Sequence, residues 1–139
     1  MRYTVRIPNR KADAMSERYP VTVEVICRFV DEQSNLATDQ YVFAYHITIT
    51  NQADVPVQLL TRHWIITDMH GAVQEVRGDG VVGEQPRLQP GQSFEYTSGV
   101  TLKTPAGTMQ GSYGLVTMDG EAFSTPIPEF RLLLPRVLH

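Results

Sequence analysis

Gly78, Gly80 and Gly83 stand in the run Arg77-Gly78-Asp79-Gly80-Val81-Val82-Gly83-Glu84-Gln85-Pro86-Arg87, with the spacing that lets backbone amides close on a phosphate. In a dinucleotide-binding protein that spacing opens a helix, and the helix N-terminus receives the pyrophosphate. Here Glu84 to Pro90 include two prolines and no apolar stripe at helical period, so the dinucleotide reading fails on context. The residues still permit a nest of loop amides for one phosphate group, assisted by Arg77, Arg87 or Arg62. Asp79 and Glu84 place opposing negative charge in the same loop. The competing reading gives the three glycines to a bulge and tight turns.

Other side chains able to do chemistry are sparse. Histidines stand at positions 46, 63, 70 and 139, and no two have the strand or helix spacing that puts a pair on one face. Asp68 and His70 are neighbours across a turn, but two ligands make a weak site, and no metal site is expected. In Arg62-His63-Trp64, Arg62 and Trp64 share a strand face and His63 points the other way. A buried Trp64 therefore draws Arg62 toward the inner rim, where it needs a carboxylate or carbonyl partner. The two readings of Arg62 are a bridge between strand ends and a receptor for an anion. No Gly-x-Ser-x-Gly elbow, no cysteine with a positioned histidine and no carboxylate pair at strand spacing is present. The expectation is a protein without catalytic activity or cofactor.

The elements that must carry these residues are strands. Val21, Val23, Val25, Cys27 and Phe29 alternate with polar neighbours, which is the period of a half-buried strand. Tyr41, Phe43, Tyr45, Ile47 and Ile49 repeat the pattern more clearly. Further strands are expected over 57–67, with Trp64 as a core anchor, over 72–76 after the Asp68–Gly71 loop, over 93–98 closing at Gly99, and around Met109 to Leu115. The segment from Glu121 to Leu134 holds Pro126 and Pro128, which suits an edge strand broken by a bulge. Seven or so strands with regular turn signals predict an all-β antiparallel two-sheet sandwich.

Length and charge bound the function. A chain of 139 residues fits one domain, and no apolar run is long enough to span a bilayer. The formal net charge of -3 argues against a nucleic-acid binder, whose affinity comes from clustered cations. Arg2, Arg6, Arg10, Lys11 and Arg18 make the first eighteen residues basic but lack the pattern of a secretory signal, which places the protein in the cytoplasm. Residues 1–18 are expected to be a solvated arm and residues 19–139 the sandwich domain. Cys27 is the only cysteine, which leaves no internal disulfide and reads as a small buried hydrophobe.

Several of these runs together resemble the ApaG family: Tyr41-Val42-Phe43-Ala44-Tyr45, Arg62 through Asp68, Gly78 through Pro86, Pro90-Gly91, Tyr96-Thr97-Ser98-Gly99, Thr104 through Tyr113, and Ile127-Pro128-Glu129-Phe130. They follow in order from about Val21 to the C-terminus and leave the first eighteen residues outside. The resemblance implies a fibronectin type III-like or immunoglobulin-like sandwich. It also implies a link to cobalt and magnesium handling, a use of related domains as interaction modules, and suggestions of nucleotide or pyrophosphate binding by the glycine motif. The leading expectation is a protein–protein interaction module that engages an unidentified partner through its last strand or the Gly78–Pro86 loop. The alternative is a small-ligand binder for phosphate, pyrophosphate, a nucleotide or a divalent cation. Neither reading involves a nucleic acid or a membrane.

Overall fold

Alternation of apolar and polar residues is realised as strand after strand in the computed structural model, which describes residues 2–7 and 18–135. The strands are β1 (Arg2–Ile7), β2 (Val21–Phe29), β3 (Tyr41–Asn51), β4 (Val57–Asp68), β5 (Val73–Asp79), β6 (Arg87–Leu88), β7 (Ser93–Leu102), β8 (Ala106–Thr117) and β9 (Ala122–Leu133). One antiparallel sheet has the order β1-β2-β3-β7, and the other has the order β5-β4-β8-β9 with β6 also on β4. Every second residue of β2 from Val21 to Phe29 is buried, and β3 alternates likewise from Phe43 to Asn51. No helix among the described residues is long and apolar enough to cross a membrane.

The core lies between the sheets. Trp64 packs edge-on against Tyr45, Tyr113 and Phe130, with ring centroids 5.4, 6.4 and 6.0 Å away. On one side β2 and β9 close the sandwich, where Cys27 Sγ donates to the carbonyl of Arg131 at 3.5 Å. At one end the fully buried Asn51 acts as a hub. Its Nδ2 donates to the carbonyls of Val55 (2.9 Å) and Leu88 (3.0 Å), and its Oδ1 accepts from the amide of Ala53 (2.9 Å). One side chain thus fixes the end of β3, the crossover to β4, and β6.

The structure departs from the sequence expectation at four places. Arg2–Ile7 belong to no solvated arm: they pair with β2 from Arg2↔Arg28 to Ile7↔Val23, because Tyr3, Val5 and Ile7 supply the same period. Residues 8–17 of that arm, and His139, lie outside the described residues. The strand begun at Val73 does not stop at Val76 but continues through Gly78 to Asp79. β7 runs past Gly99 to Leu102, with Gly99 opposite Ala44. The two-residue β6 has no counterpart in the sequence pattern.

The last strand is an edge and is bulged. Met109 faces Phe130 and Gly111 faces Ile127, so Pro128 and Glu129 together oppose Gln110. β4 carries a second bulge, at Leu60, between the pairs Leu59↔Leu115 and Thr61↔Gly114.

Candidate binding site at the glycine loop and the inter-sheet cleft

The bulge at Leu60 explains where the glycine loop goes. A bulge turns a carbonyl out of the ladder, and that of Leu60 accepts from the Gly80 amide (2.7 Å) and from Gln85 Nε2 (3.0 Å). The Leu59 amide donates to the Pro86 carbonyl at 3.0 Å, which seats β6 beside β4. Between these anchors Val81 and Glu84 exchange two backbone hydrogen bonds, 2.8 and 3.0 Å, around Val82 (φ 44°) and Gly83 (φ 80°). Positive φ at both central residues makes this the two-residue turn that joins antiparallel chain, and no helix follows. Gly80 has φ 66°, and a β-carbon on it would lie 2.3 Å from the Glu84 carbonyl oxygen. The amides of Gly80, Val81 and Glu84 all donate to carbonyls, which leaves fewer donors for a phosphate than the spacing suggests.

Valine is a poor residue for a left-handed conformation, because its branched side chain crowds the following carbonyl. Val82→Asn creates the favoured Asn-Gly pair of this turn type and is expected to stabilise the protein by about 1 kcal/mol. Urea unfolding checks this: the midpoint rises with an unchanged slope.

Arg62 occupies the inner side of this loop. Its Nη1 donates to the carbonyls of Asp79 (2.9 Å) and Gly80 (3.0 Å), and its guanidinium lies over Gly78. A β-carbon on Gly78 would come within 2.7 Å of Nη1, so the first glycine of the motif is the arginine's seat. The other expected site residues do not join it. His63 points to the outer face, where its Nε2 lies 2.8 Å from Glu75 Oε1. Arg77 is exposed and lies 3.7 Å from the same Glu75 carboxylate. Arg87 is exposed on β6, and Glu84 is exposed beside the turn. Asp68 is spent locally, its Oδ1 accepting from the amides of His70 (2.8 Å) and Ala72 (3.0 Å). Among the described residues no three His, Cys, Asp or Glu side chains converge.

Sequence reasoning missed the cleft that Arg62 enters from the loop side. The edges of β5 and β7 flank an opening lined by Tyr45, Arg62, Trp64, Gln74, Val76 and Ser98, among others. In the core, the hydroxyls of Tyr96 and Tyr113 are 2.6 Å apart. Burial pushes the phenol of Tyr113 far above its ordinary range and raises those of Tyr96 and Tyr45, while the Arg62 charge pulls all three the other way. Burial prevails, and the three stay protonated as hydrogen-bond donors. The signal that could have found this cluster is register: Tyr96 faces Ile47 on β3, and Tyr113 faces Arg62 on β4.

Comparison with known proteins decides the family. The model of the ApaG domain matches residues 31–117. A protein ApaG of Aromatoleum aromaticum is 59% identical over 124 residues, covering 89% of this chain and 98% of its own. The chain belongs to the ApaG family.

A protein ApaG of Ralstonia nicotianae shares 59% identity over 122 residues, with 88% of this chain and 98% of that one covered. The crystal structure of a Bordetella pertussis protein described as ApaA superposes with a TM-score of 0.83 at 55% identity, over 86% of this chain and 97% of that one. In this ApaG chain the family match spans β3 through β8, and so includes the bulge, the glycine loop and the Arg62 cleft.

Proposed function

We propose that this ApaG-family protein is a cytoplasmic, non-catalytic module that binds a protein partner by strand addition at the outer edge of β5. The observation that carries the reading is the contrast between two edges of one sheet. β9 holds Pro126 and Pro128 and is bulged, features that blunt an edge against pairing. β5 has no proline, exposes Val73, Gln74 and Glu75, and among the described residues pairs only to β4. The interaction surface expected at the last strand therefore moves to β5 and the loop that leaves it.

Backbone alternation says which groups a partner strand meets. The Gly80 amide donates to Leu60 and the Ala72 carbonyl accepts from Asp68, so even-numbered residues of β5 turn toward β4. The amides of Val73, Glu75 and Arg77 face away from it. The cobalt and magnesium handling that the family resemblance implies enters this reading through the partner.

The test is Arg77→Pro, which deletes one outward donor and leaves the β4 ladder whole. Lysate capture with the parent recovers a stoichiometric partner, the variant loses it at unchanged melting temperature, and hydrogen exchange slows at Val73, Glu75 and Arg77 in the complex. A partner held equally by the variant, or β5 amides that exchange at the same rate in the complex, would overturn the reading.

A further inference from the structure

The cleft between β5 and β7, about 380 Å³ in volume, has a charge pattern that calls for a ligand. Arg62 is the one charged side chain among its lining residues, with neither another cation nor a carboxylate in the wall. No ion pair is formed by Arg62 among the described residues, whose pairs involve Arg18, Arg28, His46, His63 and Arg77. Both of its hydrogen bonds come from Nη1 and go to neutral carbonyls. The guanidinium's other edge therefore meets no anion among the described residues, although it is held half-buried in a cleft that Tyr45 and Ser98 also line. A guanidinium is built to receive an oxyanion through two parallel hydrogen bonds.

We propose that this cleft binds a carboxylate, received by Arg62 with help from the hydroxyls of its walls, with the carbon body of the ligand against Trp64 and Val76. Charge decides between anions. A single guanidinium neutralises a carboxylate, whereas a phosphate dianion would keep an uncompensated charge out of water. The carboxylate could be an acidic side chain on a partner strand or a free organic acid, and the chemistry at Arg62 is the same. The inference goes beyond strand addition and does not rest on it, because it uses side chains within the cleft and none of the outward amides of β5.

Trp64 is the only tryptophan and lines the cleft, so its emission reads occupancy. The probes are benzoate, inorganic phosphate at matched ionic strength, and a strand-forming peptide with one central glutamate beside its glutamine counterpart. Benzoate is expected to change Trp64 emission saturably and more tightly than phosphate. Arg62→Gln, which removes the charge, weakens benzoate by about tenfold or more. Gln74→Glu places a competing negative charge in the cleft without touching Arg62's contacts, and weakens it several-fold. Tighter binding by the glutamate peptide than by the glutamine peptide assigns the carboxylate to a partner chain; benzoate binding without that preference assigns it to a free acid. The proposal is overturned if neither benzoate nor the glutamate peptide saturates, if phosphate binds more tightly than benzoate, or if Gln74→Glu binds like the parent. That last arm holds even where Arg62→Gln fails to fold. The Arg77→Pro experiment is read separately, so either idea can fail alone.

Discussion

Gly111→Ala is expected to melt about 10 °C below the parent, corresponding to a loss of about 3 kcal/mol. A β-carbon at this position would lie 1.9 Å from the His63 carbonyl oxygen and 3.2 Å from Trp64 Cα. Both atoms are backbone, so no side-chain rotation relieves the overlap. β8 would have to move away from β4 beside the main aromatic anchor of the core, and the bulge opposite Pro128 and Glu129 leaves β8 little freedom on its other side. Gly99→Ala is the control, because its β-carbon meets the Phe43 carbonyl at 3.4 Å, an ordinary contact. It should stay within about 1 kcal/mol of the parent. Thermal unfolding followed by Trp64 emission separates the two variants, and equal melting temperatures would refute the close-approach account.

Asn51→Ala should cost about 4 kcal/mol. The Leu88 carbonyl and the Ala53 amide lose their side-chain partner in the interior, and the Val55 carbonyl loses its own in a part-buried position. Since a domain of this kind is stable by only about 5–15 kcal/mol, much of the molecule's margin rests on one amide. Asn51→Asp is a sharper version. It replaces a donor to two carbonyls with an acceptor, so the protonated acid is the form the native site prefers and its pKa rises on folding. The sign follows: the variant is least impaired in acid and loses stability as pH rises through its native pKa. Chemical unfolding at about pH 4 and about pH 7 checks that ordering, which a purely steric defect would not show.

Asn51 also shows where the sequence was silent. In Asn51-Gln52-Ala53-Asp54 it reads as one of several turn formers, and nothing marks it as the residue whose amide holds Leu88 from a distant segment. The strands were legible because side-chain parity is local: Val21 to Phe29 and Tyr41 to Ile49 announce their buried faces without help from the rest of the chain. Gly78 is opaque for the same reason, since a residue without a side chain shows no parity. It looked like the start of a phosphate loop and is the end of a strand. β6 is too short to show a period at all. The inward turn of Arg62 could be reasoned from Trp64 two positions on, but its neighbours could not. Tyr45, Tyr96 and Tyr113 come from three strands, and only the registers β3–β7 and β4–β8 set Tyr45 in the cleft wall and Tyr96 against Tyr113 in the core.

Cys27 is 1% exposed and sits at the seam where β2 meets β9, with its thiol donating to the Arg131 carbonyl. A bulky thiol reagent cannot reach it while the fold around β2 is shut, so the rate of labelling counts local openings that uncover β2. With a single cysteine in the chain, the protein carries its own one-site clock for local opening. Read against melting of the whole molecule, that clock tells whether the packing over β2 loosens on its own or only when everything does.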